Sequence, residues 1–254
     1  LFGRFNYDFK GIYLFEANVR ADGSSRFAKG HRWGVFPSFS VGWNINREHF
    51  LRNVSWLSEL KIRASWGTLG DAEKVGYYAT SSILSYNPSI YTFNDKLFGG
   101  AYNSVSINKN ISWEKAQMTN LGLDFGVFNQ KIKLSIDYFN NLRKDILYQA
   151  PVPLEFGLPA PYSNLLKMRN EGMEFLVNYG DKKGDFFWNV NLNASYSKNK
   201  ALNLGYKEYW IEGNAITYLN DQYQLPYGYE AIGLFESVDD VKNSASQGPN
   251  VFPG

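Results

Sequence analysis

The chain has 254 residues, a net charge of +2 and 17% aromatic residues, made up of 19 Phe, 18 Tyr and 7 Trp. A charge this near neutral gives nucleic acid no electrostatic footprint, and a cysteine count of zero removes disulfide frameworks, thiolate metal sites and thiol nucleophiles together. No run of 18 apolar residues occurs, which excludes a membrane-spanning helix. This composition suits two all-β architectures. One is a transmembrane barrel with aromatic girdles. The other is an aromatic-rich soluble β-sandwich, used for adhesion or carbohydrate binding.

In chain order, Leu1 to Phe5 already reads as a strand, so no signal peptide is expected at the front. Lys10-Gly11 marks a tight turn. From Ile12 to Asp22 the side chains alternate with period two. Tyr13, Phe15, Ala17, Val19 and Ala21 share one face, and Leu14, Glu16, Asn18, Arg20 and Asp22 the other. A strand of about 11 residues matches the tilted span of a bilayer core. After a longer link at 23–31, Trp33 to Ile45 repeats the pattern, with Trp33, Val35, Phe39, Val41 and Trp43 opposite Gly34, Ser38, Ser40 and Gly42. Pro37 lies mid-strand and cannot donate a ladder hydrogen bond, so a bulge is expected there.

An intermediate link at 46–59 precedes Leu60 to Thr68, where Lys61, Arg63 and Ser65 oppose Ile62, Ala64 and Trp66. A long connection, 70–111, leads to Asn120 to Val127, where Asp124 shares a face with Asn120 and Gly122. Within that connection, 77–86 and 90–97 carry strand-type residues and are expected to form hairpins. Asn129-Gln130 is tight, 149–167 long, 181–185 short, and Phe186 to Ser197 alternates again before another long segment. Short and long connections thus largely alternate, as in outer-membrane barrels with short periplasmic turns and long outer loops. The polar face is rich in Asn, Ser and Gly, which suits a plugged or confined lumen.

Several residues invite a chemical reading. Glu171 and Glu174 are a carboxylate pair, but three residues apart on a strand they face opposite ways. Glu174 falls on the polar side. His31 and His49, the only histidines, belong to opposite rims, so no metal site or serine–histidine pair is expected from them. No catalytic group, metal or cofactor is assigned, and the chain is not expected to be an enzyme. Asp22 and Arg26 are placed to pair across a rim turn. The best ligand-contact candidates are loop aromatics, namely Tyr86, Tyr91 and Phe93 in the first long loop and Tyr209 and Trp210 in the last. Flat rings stack on sugars and pack on apolar peptide side chains. The polar-face candidates are Glu16, Asn18, Arg20, Asp22, Lys61, Arg63, Asp124 and Glu174.

A set of ordered motifs is more specific. Arg20-Ala21-Asp22-Gly23-Ser24-Ser25-Arg26-Phe27 is followed by Trp33-Gly34-Val35-Phe36-Pro37-Ser38-Phe39-Ser40-Val41-Gly42-Trp43. Then come Leu60-Lys61-Ile62-Arg63-Ala64-Ser65-Trp66-Gly67, Trp113-Glu114-Lys115, Asn120-Leu121-Gly122-Leu123-Asp124, Asn170-Glu171-Gly172-Met173-Glu174 and Gly233-Leu234-Phe235. Together they resemble the barrel of SusC/RagA-type TonB-dependent transporters of Bacteroidetes over almost the whole chain. The resemblance implies part of a barrel of roughly 22 strands around a plug. It also implies glycan or peptide import across the outer membrane, a SusD-like surface lipoprotein as lid, and TonB acting on a plug region absent here. Residues 1–254 are then a piece of that barrel, without plug, signal peptide or closing C-terminal strands.

Overall fold

The computed structural model describes residues 1–149, 152–246, 248 and 251–253. Its strands are β1 (Phe2–Phe9), β2 (Tyr13–Gly23), β3 (Trp33–Asn44), β4 (Leu57–Asp71), β5 (Leu84–Phe93), β6 (Lys96–Asn103), β7 (Glu114–Val127), β8 (Ile132–Gln149), β9 (Tyr162–Lys183), β10 (Phe186–Leu204), β11 (Tyr209–Glu212), β12 (Ala215–Tyr218) and β13 (Leu225–Pro226). A six-residue helix, α1 (Val238–Asn243), follows. Eight strands form one antiparallel sheet in the order β1-β2-β3-β4-β7-β8-β9-β10, with β1 and β10 as its outer edges.

One register rule runs through all eight strands. Tyr7, Phe15, Val41, Ala64, Leu121, Tyr138, Met173 and Tyr196 form a continuous cross-strand row. The adjoining row is Asn6, Glu16, Ser40, Ser65, Asn120, Phe139, Gly172 and Ser197. A slip of one residue anywhere would mix the two faces. The apolar face is nonetheless open. Phe5 is 59% exposed, Val35 62%, Leu121 51% and Leu192 64%. A sandwich would bury this face under a second sheet. Among the described residues, the two remaining sheets are a three-stranded one (β11–β13) and a two-stranded one (β5–β6), both in the loop segments.

Aromatics crowd the short-turn rim of this face. Tyr7, Phe9, Tyr13 and Trp43 stack in sequence at 6.3–6.4 Å between centroids. Tyr179 and Trp188 meet edge-on at 4.5 Å. Rings of this kind anchor a wall at the membrane–water boundary. The Tyr13 hydroxyl and the Trp43 indole both donate to Glu48 in the adjoining turn, and the Tyr13 bond above all holds that carboxyl below its ordinary value.

The connections largely alternate in length around the sheet; the exception is β3 to β4, whose link, 45–56, is longer than the 24–32 link from β2 to β3 on the other rim. Lys10 and Gly11 take positive φ of 58° and 63° and close a type I′ turn, with Ile12 N donating to Phe9 O at 3.0 Å. At the other rim, the connection from β4 to β7 carries the β5–β6 hairpin. That single hairpin, Leu84–Asn103, replaces the two expected over 77–86 and 90–97. Four strands outrun their sequence expectations: β4 spans Leu57–Asp71 rather than Leu60–Thr68, β7 begins at Glu114 rather than Asn120, and β9 and β10 extend furthest. β9 begins at Tyr162 rather than after Lys167, and β10 continues to Leu204. At about 3.3 Å per residue, the 22 residues of β9 reach roughly 70 Å. That exceeds an apolar band of about 25 Å, so these strands project well beyond it.

Pro37 needs no bulge. β3 pairs with β2 without a register shift through Val19↔Pro37, while its ladder to β4 begins only at Ser38↔Gly67. The missing N–H therefore falls where the β4 ladder has already ended.

Candidate functional site

Hollows open on the polar face. One, about 720 Å³, is lined by Arg4, Asn18, Arg20, Ser38, Ser65 and Asn120, among others. A second, about 420 Å³, includes Asn6, Glu16, Ser40, Lys61 and Arg63. A third, about 390 Å³, includes Ser135, Asp137, Glu174, Asn193 and Ser195.

Arg63 organises the middle of this face. Its Nε and Nη2 donate to Asp124 at 2.7 and 3.0 Å, a bidentate pair from β4 to β7. Its Nη1 and Nη2 also reach Asp137 on β8 at 2.9 Å each. Ser135 joins by donating to Asp124 at 2.7 Å. One guanidinium thus ties three strands together. Gly122 makes the crossing possible, because a Cβ there would lie 2.6 Å from Arg63 Cζ and 2.7 Å from Asp137 Oδ1. The Leu60–Gly67 and Asn120–Asp124 motifs are therefore two halves of one lattice.

The other polar-face candidates fall on the same side by register. Asn18 donates to Glu16 at 2.7 Å and accepts from Arg4 at 2.7 Å. Lys61 lies opposite Asp124. Glu174 lies between Asp137 and Ser195. Glu171 takes the opposite face, paired with Asn140 and Lys198, so the two glutamates do not converge. Arg20 bonds Asp22 at 2.5 Å. The expected Asp22–Arg26 pair gives way to this one, because residues two apart on a strand share a face.

Arg26 instead grips the long loop, donating to the carbonyls of Ala72, Glu73 and Val75 at 3.0–3.2 Å and capping the Tyr77 ring. Beside it, Phe27, Phe36, Val75, Ile111, Trp113 and Leu147 form a buried cluster. Trp113 packs on Phe27 at 5.2 Å and on Phe36 at 5.5 Å. Phe36 fits only because Gly70 has no side chain; a Cβ there would meet Phe36 Cζ at 1.9 Å. Glu114 is buried next to Trp113. It accepts from Leu147 N at 2.9 Å and lies 3.4 Å from Arg143 and 3.8 Å from Lys74. The first motif and Trp113-Glu114-Lys115 therefore anchor the loop.

The loop aromatics divide. Tyr86, Tyr91 and Phe93 stand on the β5–β6 hairpin and are 72%, 54% and 69% exposed. Tyr209 is half exposed on β11. Trp210, the other ligand-contact candidate of the last loop, is a packing residue here. It is buried with Ile146, Leu166, Ala201 and Leu204, and stacks on Tyr148 at 4.6 Å. Asp137, Ser135 and Arg4 were not singled out from the sequence, and Glu114 only as part of a motif. For Ser135 and Asp137 the signal was present, since both alternate with Leu134, Ile136 and Tyr138.

An antiparallel meander with an open aromatic-belted face, a polar face and largely alternating connections defines a section of a transmembrane β-barrel. The chain belongs to the TonB dependent receptor-like β-barrel family, whose model matches residues 1–241. It is 34% identical to the TonB-dependent receptor SusC of Bacteroides thetaiotaomicron over 257 residues, covering 94% of this chain and 25% of that protein. It is 31% identical to a TonB-dependent receptor of Formosa agariphila over 244 residues, covering 93% of this chain and 22% of that protein. Among solved structures it resembles the RagAB peptide transporter, with a TM-score of 0.76 and 27% identity over 87% of this chain and 24% of that one. The chain spans about a quarter of the length of the curated relatives it matches. It is an outer-membrane protein segment.

Proposed function

We propose that this chain is part of the barrel wall, with the outer loops, of a TonB-dependent importer of glycans or peptides. The observation that carries the reading is the two-face register, continuous through the middle of all eight strands with shifts only near strand ends. An apolar face meets lipid across eight strands, and the polar hollows around Arg63 face an enclosed path. Eight strands are fewer than the roughly 22 of a plugged outer-membrane transporter. The rest of the wall, the plug and the TonB contact then lie outside residues 1–254. The likeness to the RagAB peptide transporter supports peptide as cargo, and the SusC/RagA-type motifs keep glycan beside it as what that resemblance implies. A SusD-like surface lipoprotein is the proposed lid over the long-loop rim.

The exposed hairpin rings are the proposed first contact for cargo or lid. Replacing Tyr86, Tyr91 and Phe93 together by alanine is expected to lower uptake by the intact receptor about tenfold or more, at roughly 0.5–1.5 kcal/mol per lost ring contact. Receptor abundance in the outer membrane should stay unchanged. Growth of a receptor-deletion strain complemented with either form, on defined oligosaccharide or peptide as sole source, measures this. Equal growth on every source with and without the receptor would overturn the importer reading.

A further inference from the structure

We propose that a hollow on the outward face, at the short-turn rim, binds the headgroup of a zwitterionic phospholipid of the phosphatidylethanolamine kind. The hollow, about 630 Å³, is lined by Trp56, Phe128, Lys131, Ile132, Tyr179 and Asp181, among others. Ile132 and Tyr179 are register partners on the apolar face, and Asp181 follows two residues on, opposite Trp188. Trp56 meets Phe125 of the same face edge-on at 6.5 Å. The floor is therefore aromatic and aliphatic, and it belongs to the surface that faces lipid in the proposed function, on which this inference rests.

A single ion pair stands at its edge. Lys131 Nζ lies 2.7 Å from Asp181 Oδ1, with both side chains partly open. The backbone N–H of Lys182 also donates to Oδ1, at 2.8 Å, so Oδ2 takes neither bond. An ammonium carries three donors, and Asp181 uses one of them. The pair thus offers donors for a phosphate and a carboxylate oxygen for an amine, in one place. The headgroup of phosphatidylethanolamine carries that same phosphate and amine a few atoms apart. The aromatic floor beneath would take the glycerol end and the upper acyl chain, the depth at which Trp and Tyr reside. Neither element needs the ion pair for closure, because Lys131 N closes its own turn on Phe128 O at 3.2 Å and Gly180 N joins the two strands by donating to Lys131 O at 2.9 Å.

The test uses the intact receptor, purified in mild detergent. Native mass spectrometry follows titration with phosphatidylethanolamine or phosphatidylglycerol of matched chains. The expected result is one phosphatidylethanolamine retained more tightly than phosphatidylglycerol. The paired variant Lys131→Ala with Asp181→Ala, which keeps net charge, should weaken it more than about tenfold, as expected for losing the phosphate contact and the amine contact together. Trp56→Ala should weaken it as well. Heat-modifiable migration on gels confirms that each variant remains a folded barrel. Equal affinity for both lipids, or a folded paired variant that binds like wild type, would overturn the proposal. This readout involves no cargo, so its failure is distinct from a failure of the importer reading.

Discussion

Trp113→Ala is expected to release the long loop, residues 72–113, from the wall while leaving the strands folded. The indole fills the space between Phe27 and Phe36, is 9% exposed, and donates from Nε1 to Arg32 O at 3.3 Å. Truncating a buried Trp to alanine costs about 3–5 kcal/mol. Here the loss falls on the docking of the loop and its hairpin rather than on the ladder, because β7 begins at Glu114 and keeps its pairing with β4. A cost of about 3 kcal/mol raises the open population of the loop on the order of a hundredfold. Limited proteolysis of the intact receptor reads this directly. Cleavage within 72–112 should accelerate by about that factor, and Trp33→Ala, on the open apolar face, should not accelerate it. Unchanged cleavage in Trp113→Ala would show that the loop is held by something other than the buried cluster.

The second large effect is expected at Arg63. Arg63→Ala leaves Asp124 and Asp137 without their shared cation, next to Glu174 on the adjoining strand. Breaking a fully buried pair costs about 3–5 kcal/mol. The Arg63 side chain is 36% exposed, so solvent screening lowers the expected loss to about 1–3 kcal/mol. The temperature at which the folded receptor loses its compact gel migration should fall. Adding Asp124→Asn and Asp137→Asn to Arg63→Ala should recover most of it, since the like charges are then gone. Gly122→Leu should reproduce the loss with every charge in place, because its side chain would occupy the path of the guanidinium. A folded Gly122→Leu receptor with wild-type melting would contradict the three-strand lattice.

Period-two patterning in β2 and β3 was enough to assign their faces, and the tight turn at Lys10-Gly11 could be read from its residues alone. The polar-face assignments of Glu16, Arg63 and Asp124 came from the same local rule. What the pattern could not supply was pairing. Arg63 and Asp137 are 74 residues apart, and only the register of β4, β7 and β8 shows that Gly122 lies beneath their bridge. Likewise, Pro37 has a missing N–H that sequence locates but cannot aim; the strand ladders aim it. The packing of Trp210 was not legible because its partner Tyr148 lies on another strand. The loop anchor was legible only as motif, since Phe27, Phe36, Trp113 and Leu147 come together from four separate segments.

The central claim is that one face of this sheet meets lipid and the other does not, and spin labelling along β3 tests it most directly. The chain has no native cysteine. Single cysteines at positions 35, 38, 39, 40 and 41 of the intact receptor, in proteoliposomes, would each carry a nitroxide. Dissolved oxygen, which concentrates in the bilayer, should relax the labels at Val35, Phe39 and Val41 strongly and those at Ser38 and Ser40 weakly. A profile without this two-residue period, or with the two sets exchanged, would contradict the account.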